Sequence, residues 1–379
     1  MKLVIEVSLI ADMLDLASRF IAKSSTLPIL QNVYLQVQNN ELIIKATDME
    51  KYILVTLPID KWDEGGITVD AKTLYEIIKT IEEPSVELAV ANDILTITTA
   101  KDAFNIKGIS IQEFVALPEI QAIQTISVPV SDFTTGISKV EFAVLEKNFS
   151  PVFTGIVIGS KKEDNKDALV FVGTDSFRLA EYKIYTENTY NDFKIIVPKS
   201  SINDMKRVGE YSLAKQPNNH VSIHYANNMV LCEFTIGNMN IKTNSLLIQG
   251  NFPDYDNEKI VPRNFATTIT VDTNSTDKAI RKIGIMTKDI NNFIQITSKD
   301  NTLELNSWST SLGQANTSLS ALVDWPDIEV GLNGKHISDF LKITRSDRVN
   351  MNFVNNDAPI VITEPDNNSY KYIIRPIKK

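Results

Sequence analysis

Residues 68–78 read TVDAKTLYEII, and this junction decides the fold. A β-like run ends at Asp70, and a helix follows at once with Leu74, Ile77, Ile78 and Ile81 on one face at i, i+3, i+4, i+7 spacing. The junction recurs as EVSLIADML (6–14), VPVSDFTTGI (128–137), IIVPKSSINDM (195–205), ITVDTNSTDKAI (269–280) and VGLNGKHISDFL (330–341). The first helical residues fall near Ser8, Asp70, Ser131, Lys199, Asp272 and Asn333, at intervals of 62, 61, 68, 73 and 61 residues. One period along the whole chain predicts one supersecondary unit used six times. Repeated helices on one face with strands elsewhere suggest a ring or a tube, whose hole and rim matter more than any catalytic cleft.

Short strands fill the intervals, among them NVYLQVQ (32–38), ELIIKAT (41–47), LVFVGT (169–174), MVLCEFTI (229–236) and PIVITE (359–364). Asn39-Asn40, Gly65-Gly66, Asn227-Asn228, Asn355-Asn356 and Asn367-Asn368 punctuate them and suit tight hairpins. About four strands per helix are too many for parallel βαβ crossovers. The class is therefore α+β, antiparallel sheets with helices packed on one side. The first helix buries Leu9, Ile10, Met13, Leu14, Ala17, Phe20 and Ile21, and the sixth Ile337, Phe340, Leu341 and Thr344. Linker-like stretches at 117–125 and at NFPDYDNEKIVPRN (251–264) pair the six units into three domains, 1–124, 125–252 and 253–379.

The 379 residues carry a net charge of −9. The helix windows 8–23, 70–81, 131–147, 198–209, 272–288 and 333–348 hold 17 Lys and Arg against 12 Asp and Glu, which leaves −14 on the remainder. A polyanion would be accepted by the helical face and repelled elsewhere. Lys278, Arg281, Lys282 and Lys288 occupy the outer face of the fifth helix, and Lys335, Lys342 and Arg345 that of the sixth. No run approaches the ~18 apolar residues of a membrane span. Glu6 and Asp12 interrupt any N-terminal signal-like stretch, and Cys232 is unaccompanied, all of which fits a cytoplasmic protein.

The sequence holds no glycine-rich phosphate loop and no H-E-x-x-H. Three histidines and one cysteine make no convincing zinc site, and His220 and His224 read as polar positions on one strand face. Asp175 in GTDSFR has neither a base nor a nucleophile beside it. No catalysis, metal or cofactor is expected.

Longer strings carry a resemblance. SSTLPILQNVYLQV with KATDMEKYILV, FVGTDSFRLAEYKI, IQGNFPDYDNEKIVP and the ending YKYIIRPIKK are similar, in order and along the full length, to the bacterial sliding clamps, the beta subunits of DNA polymerase III. The resemblance implies three clamp-type domains per chain and a ring-shaped homodimer, with antiparallel sheets outside and helices lining a central hole. It implies a non-enzymatic processivity factor that encircles duplex DNA without regard to sequence. It also implies a hydrophobic pocket that receives short linear motifs of the replicative polymerase, the clamp loader and repair proteins.

Carried over string by string, the pocket wall is Phe153, Thr174, Ser176, Phe177, Arg178 and Leu179, with Pro253 and Ile260 from the linker. The third domain adds Ile290, Asn333, His336 and Pro359, and Ile373, Ile374, Arg375, Pro376 and Ile377 close it, with Leu179 facing Ile374. Ser176-Phe177 stands where the family often has Gly-His. DNA contacts are expected from Lys23, Ser24, Lys79, Lys147, Lys199, Lys206, Arg207, Lys278, Arg281, Lys282, Lys342 and Arg345. Ser24 and Ser150 replace arginines that the family tends to place there, with Lys23 and Lys147 close by. The dimer is expected to pair an edge strand around Phe104 and Ile106 with another around Ile283, Ile285 and Met286. Two other classes compete with the clamp: an enzyme acting on a small molecule, and a β-rich peptide-binding adaptor that never encircles DNA.

Overall fold

Three of the six helices are started by the residue that ends a strand. The Asp70 carboxylate accepts from Thr73 N at 2.8 Å, the Asp272 carboxylate from Ser275 N at 2.7 Å, and the Asn333 side chain from His336 N at 3.2 Å. Each satisfies a backbone N–H that the first helical turn leaves without a partner. The computed structural model describes residues 1–60, 62–147, 149–163, 166–186, 191–287, 290–309, 311–324 and 326–377. The helices are α1 (Val7–Ala17), α2 (Ala71–Thr80), α3 (Val130–Val140), α4 (Lys199–Lys215), α5 (Thr273–Gly284) and α6 (Gly334–Leu341).

Every helix starts within one residue of its expected position, but five end elsewhere, α5 already at Gly284. α1 stops at Ala17, where Ser18 Oγ bonds back to Asp15 O at 2.8 Å and takes a carbonyl from the helix ladder. α3 gives way to a short 3-10 turn at Glu141–Ala143. α6 stops at Leu341 because β-branched Ile343 and Thr344 follow, and Thr344 Oγ1 turns to Glu364 at 2.7 Å. α4 instead runs past Gly209 to Lys215. A Cβ at Gly209 would come within 2.8 Å of the Thr134 side chain, so this glycine permits close packing and does not break the helix. Lys288, at the end of the expected fifth helix, lies outside the described residues.

The chain forms two compact units, residues 1–134 with 200–247, and residues 135–199 with 248–379. Each contains the same element, a helix followed by a three-stranded antiparallel meander. In the first unit, the meander Asn32–Gln38, Glu41–Thr47, Lys51–Pro58 joins the meander His220–Tyr225, Met229–Ile236, Met239–Leu246 through their last strands, with Val55 opposite Ile241. Strands Gly65–Asp70 and Gln124–Pro129 complete an eight-stranded sheet. A separate five-stranded sheet runs Trp62–Asp63, Lys2–Glu6, Ser85–Ala91, Ile94–Thr98, Ala103–Lys107.

In the second unit, the meander Gly155–Glu163, Lys166–Thr174, Arg178–Thr186 joins Arg348–Phe353, Ile360–Glu364, Asn367–Ile374 in the same manner, again last strand to last strand. The sheet extends through Thr267–Asp272 to the meander Phe293–Lys299, Thr302–Ser309, Gly313–Val323, reaching twelve strands. The strand ahead of each helix pairs with the sister meander: Lys2–Glu6 with Ser85–Ala91, and Thr267–Asp272 with Arg348–Phe353. Some strands bury alternate residues, as in Phe293–Lys299, where Ile294, Ile296 and Ser298 face the core, while others such as Lys166–Thr174 bury a continuous run.

Candidate functional site

The turn between Thr174 and Arg178 is held by its own side chains. Asp175 Oδ1 accepts from Phe177 N and Arg178 N, both at 3.0 Å, and Thr174 Oγ1 accepts from Ser176 N at 3.1 Å. Ser176 takes the left-handed conformation, φ +75°, in which glycine is at ease. The second Asp175 oxygen accepts from Arg178 Nε at 2.8 Å. Arg178 also donates to Asp339 Oδ2 and to Phe142 O, each at 2.8 Å. Asp175 and Arg178 are thus spent on architecture, and the turn pushes Phe177 outward, 63% exposed.

Beside this turn lies a cleft of about 530 Å³. Its floor is the join between strands Arg178–Thr186 and Asn367–Ile374, where Leu179 stands opposite Ile373 and Arg178 opposite Ile374. Side chains alternate along a strand, so Leu179 and Ile373 share the cleft face while Ile374 points to the other side, fully buried. The expectation that Leu179 faces Ile374 is therefore corrected by one residue. Of the residues named from the sequence, Phe153, Thr174, Ser176, Phe177, Arg178, Pro253, Ile260, Pro359, Arg375 and Pro376 also line this cleft. Phe252, Tyr255, Lys259 and Asp357 line it too, although the sequence pattern does not mark them. Below the surface, Val157, Val170, Val172, Ile196, Val261 and Val361 pack against Leu179 and Ile373.

Ile290, Asn333, His336 and Ile377 line a second cavity of about 930 Å³, with Asn291, Asn292, Phe293 and Trp308. Phe177, Arg375 and Pro376 border both cavities, so the exposed phenyl ring divides one larger groove. His336 is pushed down to about 4 by burial and by the neighbouring Arg178 guanidinium, and is a neutral imidazole at physiological pH. Arg375 N donates to Phe177 O at 2.9 Å and Ile377 N to Gly331 O at 2.8 Å, which ties the C-terminal segment to the groove walls.

The basic residues divide by element. Lys79 lies in the last turn of α2, Lys206 and Arg207 on α4, and Lys278, Arg281 and Lys282 on α5. Lys23, Ser24, Lys147, Lys342 and Arg345 lie beyond the helix ends and are exposed in turns and loops. The sequence windows include the four basic ones, Lys23, Lys147, Lys342 and Arg345, because charge alone does not mark where a helix stops. Lys199 opens α4 but donates to Val144 O at 2.8 Å, and burial lowers its pKa. Lys139 is buried and paired with Glu364 at 3.1 Å, so the helix-window charge count overstates what reaches solvent. Arg281 pairs with Asp277, and Arg207 with Glu210 at 3.5 Å.

Phe104 and Ile106 lie on Ala103–Lys107, an outer strand of the five-stranded sheet. Ile283, Ile285 and Met286 form no strand. Ile283 is buried within α5, Ile285 follows its last turn 65% exposed, and Met286 Cε lies 3.9 Å from where a Cβ on Gly313 would sit. The apolar run Ile-Gly-Ile-Met looks β-like, but Thr276, Ala279, Ile280 and Ile283 continue the helical stripe. On the sheet of the first unit, His224 Nδ1 meets Thr125 Oγ1 at 2.9 Å and Nε2 meets Glu233 at 3.5 Å. Among the described residues no cluster of three or more His, Cys, Asp or Glu is placed to hold a metal, and no helix is long and apolar enough to cross a membrane.

Models of three consecutive domains match the chain: the DNA polymerase III beta subunit N-terminal domain over residues 1–118, the central domain over 127–254 and the C-terminal domain over 258–378. The beta sliding clamp of Staphylococcus epidermidis is 26% identical over 369 residues, covering 94% of each chain. That of Synechocystis is 25% identical over 402 residues, covering 100% of this chain and 99% of its own. Among solved structures, the DNA polymerase III subunit beta from Pseudomonas aeruginosa aligns over 100% of both chains with a TM-score of 0.91 at 20% identity. The beta subunit from Thermotoga maritima aligns with a TM-score of 0.90 at 22% identity, covering 100% of this chain and 99% of its own.

Proposed function

The chain belongs to the DNA polymerase III beta subunit family, the beta sliding clamps, and we propose that two copies close head to tail around duplex DNA and hold replication proteins there. The family role is that of a non-catalytic processivity factor. A closed ring cannot leave a duplex sideways, so its contacts with phosphates can stay weak and independent of sequence.

The observation that carries the ring is the repeated join. Lys51–Pro58 pairs with Met239–Leu246, and Arg178–Thr186 with Asn367–Ile374, each time last strand to last strand. Two meanders are left over. Their last strands are Ala103–Lys107 and Gly313–Val323, and among the described residues neither makes such a join. The proposal is that a second copy supplies it twice, with Phe104 and Ile106 at the seam and Ile285 and Met286 flanking it. This supports three domains per chain, with boundaries near residues 124 and 252.

The groove beside Phe177 is the proposed seat for short peptides of the polymerase, the clamp loader and repair proteins. A peptide with a glutamine and two spaced apolar residues suits it. The apolar side chains contribute roughly 1.5–3 kcal/mol each and the glutamine sets register. After ordering costs, affinity is expected at about micromolar. Exposed Arg207, Lys278 and Lys282 and half-buried Lys206, with Lys23, Lys79, Lys147, Lys342 and Arg345, are the proposed phosphate contacts. The cytoplasm is the proposed compartment.

Retention on DNA tests the ring. Protein loaded onto a nicked plasmid by a clamp loader and ATP should co-elute with the circle and fall off once the plasmid is linearised. Reversing Lys206, Arg207, Lys278 and Lys282 to Glu should shorten retention and flatten its salt dependence. Equal retention on linear and circular DNA would sink the topological mechanism, and a persistent monomer near 42.4 kDa would favour the adaptor reading.

A further inference from the structure

We propose that Glu181 is a positioning residue for the cleft, fixing through Tyr255 the 251–264 segment that forms one of its walls. The proposal rests on the peptide-cleft reading above. Glu181 lies two residues beyond Leu179 on the same strand face, so the strand that supplies the floor also carries the anchor. Its carboxylate is buried, 3% exposed, where a charge is tolerated only if paired and hydrogen-bonded. Oε2 accepts from Tyr255 OH at 2.7 Å and faces Lys161 Nζ at 3.2 Å, while Oε1 faces Lys183 Nζ at 3.4 Å.

The two lysines do not depend on Glu181 alone. Lys161 also reaches Asp256 at 3.0 Å, and Lys183 also pairs with Glu163. The distinctive role of Glu181 is thus toward the tyrosine. Burial and the Glu181 carboxylate raise the Tyr255 pKa, which keeps the phenol a donor at every ordinary pH. From Tyr255 the wall continues by edge-to-face packing, to Phe252 at 6.3 Å between centroids and from Phe252 to Phe153 at 6.5 Å. All three rings line the cleft. A tyrosine held at its hydroxyl fixes the row, and the row fixes the width of the groove.

The test compares Tyr255→Phe, Glu181→Ala and Glu181→Gln in the full chain. Two readouts are taken: amide hydrogen exchange of residues 251–264 without peptide, and anisotropy of a labelled Gln-Leu-Ser-Leu-Phe pentapeptide. Tyr255→Phe keeps the ring and loses only the hydroxyl. It and Glu181→Ala should speed exchange in the segment and weaken the peptide about tenfold, the scale of a hydrogen bond to a charged group. Glu181→Gln, whose amide oxygen accepts the same bond, should rescue both to within about twofold. Unchanged exchange in Tyr255→Phe, or no rescue by Gln, overturns the proposal. If wild type fails to bind the pentapeptide, the peptide reading falls, while the exchange measurement still decides whether Glu181 holds the wall.

Discussion

At Ile373 and Ile374, one step of strand alternation separates a recognition surface from the core. Ile373 lies under the cleft with Leu179; Ile374 lies fully buried on the opposite face. Ile374→Asp is therefore expected to unfold the third domain, at a cost of about 3–5 kcal/mol for an uncompensated buried charge. Phe177→Asp, on a ring 63% exposed, should leave the melting temperature nearly unchanged and weaken peptide binding. Thermal melts and titrations of both variants check this, and a stable Ile374→Asp would overturn the register argument. The sequence marks both isoleucines but not their facing, because a run of three apolar residues, Tyr-Ile-Ile, hides the period of two. Phe252 and Tyr255 are hidden for another reason: an aperiodic linker does not announce which of its rings turn inward. His336 supplies a pH signature. Its pKa is about 4 in the folded state against an ordinary 6.5, so the unfolded chain binds the extra proton between those values. Stability from this group is complete above pH 6.5 and is lost as pH falls through 4. His336→Gln should remove that share of the acid decline, leaving the decline due to Asp339, Glu364 and Asp256, whose pKa values are lowered. Superimposable melting-temperature profiles for wild type and variant would refute the assignment.

Helix starts are legible because strand, junction and apolar stripe coincide in a few residues, as at Asp70 and Asp272. Helix ends are not, because they depend on competing side-chain bonds such as Ser18 to Asp15 and Thr344 to Glu364. Strand edges are legible only in part. Ala103–Lys107 alternates visibly, with Phe104 and Ile106 on one face, whereas Gly313–Val323 reads GQANTSLSALV, a largely polar strand with few apolar marks. The neighbouring apolar run at 283–286 is accordingly the more visible candidate for the seam, yet it forms no strand: the helix takes Ile283 and Gly284, and a turn takes Ile285 and Met286. If the leftover strands join between copies, Phe104→Asp should put a charge at the seam and shift sedimentation at micromolar concentration from dimer toward monomer. The circular dichroism spectrum should not change. A variant as dimeric as wild type would mean that the copies meet elsewhere.

Across the molecule, the net charge of −9 and the local basic residues act on different length scales. Screening over about 8 Å at physiological salt lets a phosphate feel Lys278 or Lys282 more than the distant acidic surface. Acidic composition is thus compatible with duplex binding. The join between Arg178–Thr186 and Asn367–Ile374 has a further consequence. Its two strands belong to one chain, and residues 251–264 run close beside them, held by Tyr255 and Asp256. If that join opens, the tether keeps its halves at high effective concentration and reclosure is unimolecular. The proposed joins between copies have no tether, so a broken one recloses in competition with dilution once both have parted. Nearly identical strand pairings would then differ in lifetime by connectivity alone: the gate of the ring is set by where the polypeptide is not continuous.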